Sequence, residues 1–325
     1  MGLTSTKAKG GSLSGKNPAA YNRHALHANT RSYQETNCYA DVLVELLHAC
    51  GYEPMALFGH VVRMDFEGDQ WTFFKPPPED IELLFGVDIH EMQPYRPLPT
   101  QISEQLALGR TIIVELDSWF LPDVGRGEYR TKHVKTSVAP DSIDVDAHTM
   151  NYFHGPGMFS LGPDDYRGIF RLDPASEEVL PPYTELVRFD AGARLEGQAL
   201  SQTSLATLRK HLAHRPGGNP AQRFGAALLA ELPTLLQGDL DDFHAYAFAT
   251  VRLAGSGFEA LGSYIDWLFG SDAGDAGEAI AAFIDACKIL SFRLARRRDF
   301  DPQAQISAMA SNWERTIAAL ENLVS

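Results

Sequence analysis

The stretch ETNCYADVLVELLHACG, residues 35–51, decides how the rest of the chain is read. Val42, Leu43, Leu46, Leu47 and Cys50 recur at the three- and four-residue spacing of one helix face. Gly51 is a natural C-terminal stop, and Thr36 and Asn37 are acceptable caps at the start. The helix predicted over 36–50 places Cys38 in its first turn. Free backbone N–H groups and the helix dipole favour a negative charge there, so a thiol so placed is biased toward thiolate. Polar Glu35, Thr36, Asn37 and Asp41 surround Cys38. Cys50 and Cys287 lie among apolar residues and read as small core hydrophobes.

Outward from this helix, MALFGHVVRMDF and QWTFFK read as two strands joined by a turn at Glu67, Gly68 and Asp69. EDIELLFGV and ISEQLALG read as short helices, the second ended by Gly109. TIIVELD is the clearest strand, a β-branched apolar run. HVKTSVAP follows as a strand with Val134, Thr136 and Val138 on one face, and DSIDVDAHT reads as a turn. MNYFHG, GMFSLG and GIFRLD are further short strands. Beyond about Asp190 the strand signals stop, and Ala and Leu dominate. Helices are predicted at 198–214, 220–237, 240–253, 258–269, 277–298 and 303–323, with AGSG and GSDAGDAG among the joints. The expected architecture is α+β: a flexible tail over 1–20, a papain-like cysteine-enzyme domain (one helix plus an antiparallel sheet) over 21–190, and an all-α helical bundle over 191–325.

Composition narrows the function classes. At 325 residues, 44% hydrophobic and 22% charged, the chain has the make-up of a globular protein of two domains. A net charge of −14 works against nonspecific nucleic-acid binding. No apolar run is long enough to span a bilayer, and the N-terminus lacks the apolar centre of a secretory signal. Three cysteines without metal spacing point to a reducing compartment, the cytoplasm, and to no bound metal or cofactor. The basic runs near Arg209 and Arg296 read as solvated helix faces.

A nucleophilic cysteine needs a base, which papain-like sites carry on a later strand. His133, His148 and His154 are the histidines of the later β region. His133 opens a strand shortly after TIIVELD and is preferred; His148 and His154 are the alternatives. The group orienting the ring is Asn151 in the preferred arrangement, with Asp164 or Asp165 paired to His148 and with Asp117 as a further candidate. Gln34 is the chosen side-chain amide for an oxyanion hole completed by the Cys38 N–H. Glu67, Asp69, Gln70 and Trp71 form a candidate substrate-facing hairpin, joined by Tyr39 beside the cysteine.

The blocks ETNCYADVLVELLHACGYEP, DFEGDQWTFFKPP, GRTIIVELDSWFLPD, YRTKHVKTSVAPDSID, NYFHGPG and DDYRGIFRL resemble the bacterial domain of unknown function 1839. That family is in turn similar, through the helix-start cysteine and the VELDSWFLP block followed by a histidine, to the N-terminal domain of butirosin-biosynthesis protein H. The resemblance implies an acyltransferase that takes an acyl or aminoacyl group from a carrier protein to a small-molecule amine or hydroxyl, with phosphopantetheine present only on that partner. It matches His133 to the family's histidine. Gly155 stands where an asparagine is expected after the histidine of NYFHGPG. A cysteine peptidase or amidase, and a non-catalytic binding protein, are the other readings of the same site.

Overall fold

A computed structural model describes residues 11–125, 128–172, 180–296 and 298–325. The chain forms two compact units. One holds the segment up to His27, Cys38–Pro54 and Ile81–Arg194; the other holds Ala28–Asn37, Met55–Asp80 and Leu195–Ser325. The second unit therefore draws two segments from the N-terminal half, a recruitment that composition along the chain does not reveal.

The first unit is built on a six-stranded antiparallel sheet in the order β1-β6-β2-β3-β4-β5. Its strands are β1 (Asp88–Met92), β2 (Arg110–Asp117), β3 (Lys135–Asp144), β4 (Thr149–His154), β5 (Gly157–Leu161) and β6 (Thr184–Arg188). Helix α1 (Cys38–Ala49) packs on β3, β4 and β5. Helix α3 (Leu98–Ala107) packs on β2 and β3, where Ile102 and Leu106 join Ile112, Val114, Leu116, Val138 and Tyr152 in one buried cluster. Strand side chains alternate between faces, so the residues between those core positions, Glu115 and Ser137 among them, point the other way. Helix α2 (Pro78–Phe85) precedes β1, and α4 (Pro163–Ile169) follows β5.

Several sequence expectations are corrected. MALFGHVVRMDF is not a strand: Pro54–Arg63 is a 3₁₀ segment with Met55, Ala56, Leu57, Phe58, Val61 and Val62 all buried. An apolar run buried on every side carries no periodicity to separate helix from strand. QWTFFK contributes only a Phe66–Trp71 bridge. Of the GIFRLD block, whose last residue lies outside the described residues, residues 168–172 are not a strand either; Pro163 at the first helical position, with Asp164 and Asp165 beside it, starts α4, which ends at Ile169. DSIDVDAHT is half strand, since β3 runs to Asp144. The tail is ordered in its described part. Ser12 Oγ and the Ser14 N–H donate to the buried Asp141 carboxylate at 2.6 and 2.9 Å, beside an irregularity in β3.

The C-terminal region is all helical: α5 (Gly197–Ala213), α6 (Pro220–Gln237), α7 (Leu240–Ala247), α8 (Leu253–Phe269), α9 (Gly274–Ala295) and α10 (Gln303–Val324). A π segment, Phe248–Arg252, joins α7 to α8. AGSG lies inside α8 and is no joint. A Cβ on Gly255 would sit 2.4 Å from Tyr33 Oη, and one on Gly257 2.4 Å from Met64 Sδ. These glycines serve close packing rather than a turn. Among the described residues no helix is long and apolar enough to cross a membrane.

Candidate active site

Cys38 is the first residue of α1, as its sequence predicts, and is half-buried. Its sulfur accepts a hydrogen bond from Ser137 Oγ at 3.6 Å. Helix α1 is fixed from below by a buried charged cluster. Glu45 is wholly buried and accepts from Tyr21 Oη at 2.5 Å, from the His24 N–H at 3.0 Å and from His27 Nδ1. His27 Nε2 bonds Asp41 Oδ1 at 3.1 Å. Burial works against a charge on His27, but Asp41 and Glu45 outweigh it and raise the imidazole to about 9. An imidazolium between two carboxylates thus braces the helix whose first residue is Cys38. The other two thiols are inert by environment: burial pushes Cys50 up to about 12 and also raises Cys287, which is wholly buried.

His133 stands two residues ahead of β3. Its Nδ1 meets Asp117 Oδ2 at 2.6 Å, and its ring stacks on Trp119 at 4.3 Å and 4°. Among the described residues its Nε2 has no protein partner. Asp117 also caps the turn after β2 through the Trp119 N–H at 3.0 Å, which fixes the carboxylate that holds the ring. The register pairs Asp117 with Lys135 and Glu115 with Ser137. Lys135 Nζ donates to Glu115 Oε1 at 2.7 Å. Asp117, Lys135, Glu115 and Ser137 therefore share one face, with Cys38 at the Ser137 end and His133 at the Asp117 end. Two residues along a strand span roughly 7 Å. No hydrogen bond joins Cys38 to His133 in this state.

The remaining candidates fall elsewhere. Asn151 pairs across to Ser142 and accepts from Ser160 Oγ at 2.8 Å, so it is not brought to His133. Gln34 is exposed and its amide donates to the Asn29 carbonyl at 3.5 Å. His148 sits in the β3–β4 turn with φ 54° and stacks against Tyr166, while Asp164 is exposed in the first turn of α4. Asp165 accepts from Tyr129 Oη at 3.0 Å and pairs with Arg130. His154 is sequestered, its Nδ1 on Asp123 Oδ2 at 2.5 Å and its Nε2 on Thr136 Oγ1 at 2.8 Å. Trp71 is 1% exposed and packs with Phe66, Phe224 and Phe283. It belongs to a core, while Glu67, Asp69 and Gln70 form the exposed turn before it. Tyr39 is buried, and burial with nearby Glu185 raises its hydroxyl.

Sequence reasoning did not single out Ser137, Glu115, Lys135 or Trp119. The signal was present: the alternation that puts Thr136 and Val138 on the core face puts Lys135 and Ser137 on the other. No group of three or more His, Cys, Asp or Glu side chains is arranged to hold a metal among the described residues.

Two family models match the chain, the DUF1839 N-terminal domain over residues 22–189 and the DUF1839 C-terminal domain over residues 197–322. No curated protein matches it.

Proposed function

The chain belongs to the DUF1839 family, which it matches in both of its regions, and on that premise we propose that it is a cysteine-dependent acyltransferase. The observation that carries the reading is a helix-start thiol on the same sheet face as a His–Asp pair whose Nε2 is open. Cys38 is the nucleophile, His133 the proton carrier and Asp117 the residue that orients it. In this role Asp117 replaces Asn151. The arrangement is papain-like in kind: a cysteine at a helix start and a histidine oriented by a carboxylate on the sheet.

The Cys38 thiolate attacks the carbonyl of an acyl or aminoacyl thioester carried on the phosphopantetheine arm of a carrier protein. The carbonyl–sulfur bond of the donor breaks, the pantetheine sulfur takes a proton from His133, and the acyl group stays on Cys38. An acceptor amine or hydroxyl then attacks, giving its proton to His133 as Cys38 departs. Thioester exchange is nearly balanced, so positioning and exclusion of water supply most of the advantage. Cys38 and His133 are not hydrogen-bonded to each other in the free protein; catalytic hydrogen bonds often form or tighten only in the complex.

The test is incubation with an acyl carrier protein loaded with a thioester, followed by mass spectrometry of the intact chain and of the Cys38 peptide. The expected result is a stable acyl adduct on Cys38, absent in Cys38→Ala and discharged by an added amine. Rapid appearance of free acid instead makes the protein a thiol hydrolase of the peptidase or amidase kind. No adduct, with Cys38 alkylated no faster than Cys50, makes it a non-catalytic binding protein.

A further inference from the structure

A cavity of about 460 Å³ opens beside His133, within the usual range of small-molecule sites. Its wall includes Leu98, Leu116, Phe120, Ile169, Phe170 and Pro182. His133, Asp117, Lys135 and Glu115 also line it. Asp117 holds His133 at 2.6 Å and Glu115 holds Lys135 at 2.7 Å, and Arg171 adds a further positive charge to the lining. An ammonium group entering the cavity would meet carboxylates whose charge is already neutralised by these cations, and would be repelled by Arg171. An uncharged chain meets no such repulsion and covers apolar wall that is otherwise wet. We infer that this cavity seats the body of the transferred group, and that this body is an uncharged apolar acyl chain rather than one bearing an amino group. The inference rests on the acyl-transfer reading for its choice of ligand.

The wall combines the start of α3, strand β2, the end of α4 and the segment before β6. These elements meet around the end of β2, where Asp117 and His133 stand. A chain held there brings its thioester beside His133, the proton carrier of the proposed reaction. Selectivity then follows from area: each added methylene covered by the wall strengthens binding about fourfold until the cavity is full.

Binding is measured by calorimetry on the full chain carrying Cys38→Ala, so that no chemistry intervenes. The probes are the N-acetylcysteamine thioesters of acetyl, butanoyl, hexanoyl, octanoyl and 6-aminohexanoyl groups. Affinity is expected to rise about fourfold per methylene from butanoyl to octanoyl. The 6-aminohexanoyl thioester is expected to bind at least tenfold more weakly than hexanoyl. Leu98→Trp, at a half-buried wall position, fills the space and should flatten the series with the far-UV spectrum and melting temperature retained. A flat series in the unfilled protein, or equal binding of the amino-bearing probe, overturns the inference. A steep series in a protein that never forms a Cys38 adduct removes the transferase reading and leaves the cavity's preference standing.

Discussion

Two histidine–aspartate pairs on the same sheet lead to opposite conclusions. His133 with Asp117 and His154 with Asp123 both place a carboxylate on Nδ1, at 2.6 and 2.5 Å. They differ at the other nitrogen. His154 Nε2 is taken by Thr136 Oγ1 at 2.8 Å, Asp123 also accepts from Tyr152 Oη, and the imidazole is 11% exposed. His133 is 67% exposed and Nε2 is left open. A ring with both nitrogens satisfied inside the protein is a structural strut, because any proton it moves breaks a buried bond. A ring held at one nitrogen and open at the other is what general acid–base chemistry requires. The hydrogen-bond pattern alone makes His154 look like the more complete triad; access reverses the ranking.

The largest expected effect comes from exchanging the fates of these two rings. His133→Ala should slow acylation of Cys38 by roughly 10²–10⁴-fold and leave urea stability nearly unchanged, since the ring is exposed. His154→Ala should do the reverse. It strands Asp123 and Thr136 in a part-buried site, at roughly 1–3 kcal/mol of stability, with acylation per folded molecule within about threefold of the parent, a margin set by ordinary indirect effects. Acylation is followed by mass spectrometry and stability by urea titration on the same preparations. A rate collapse in His154→Ala at unchanged stability would transfer the base to His154 and end the distinction drawn above.

A third histidine sharpens the comparison from the structural side. His27 has both nitrogens engaged, by Glu45 and Asp41, and is raised to about 9 in the fold, against about 6.5 for an ordinary histidine. Its neighbours in the cluster are Tyr21, which donates to Glu45, and His24. A group whose folded value is raised contributes stability fully below its unfolded value and loses it as pH climbs through its folded value. The contribution of His27 should therefore be fully present below about pH 6.5 and be lost, by about 3 kcal/mol, between about pH 6.5 and 9. Urea midpoints across pH 6 to 10 measure this. In His27→Gln the slope over that window should vanish; a parent slope of the opposite sign would mean that the cluster holds a neutral ring.

What was legible in the sequence follows the range of the interactions that decide each element. Helix α1 and strand β2 announce themselves because their patterns are local and regular, and so do α6 and α10. Strands β1 and β6 pass unread. DIHEM buries only Ile89, and TELVR carries a buried Glu185; each becomes a strand through a partner about a hundred residues away, Ile89 opposite Val187. The site divides in the same way. Cys38 stands out as a candidate from its helix, and His133 from its place ahead of a strand. Asp117 is one of several carboxylates until the β2–β3 register sets it opposite Lys135. Asn151 is suggested by an expected pairing of its strand with that of His133, and the β3–β4 register sets it opposite Ser142 instead. Trp71 looks like a binding residue because an aromatic beside a turn is conspicuous in sequence, whereas its burial depends on Phe224 and Phe283 far along the chain.

The smallest effect concerns Ser137, whose hydroxyl donates a hydrogen bond to the Cys38 sulfur. At 3.6 Å an O–H to sulfur bond is weak toward a neutral thiol and stronger toward a thiolate, which gains more from each donor. Ser137→Ala should therefore slow alkylation of Cys38 by iodoacetamide near neutral pH by roughly three- to tenfold, the equivalent of about 1 kcal/mol. Ser137→Thr keeps the hydroxyl and should restore most of the rate. Cys50 supplies the internal reference, since burial holds its thiol near 12. An unchanged rate in Ser137→Ala would leave the helix N-terminus as the sole support of the anion. A loss as deep as that of His133→Ala would instead place Ser137 in the path of the proton, with the hydroxyl relaying between a sulfur and an imidazole that stand at opposite ends of the same strand pair.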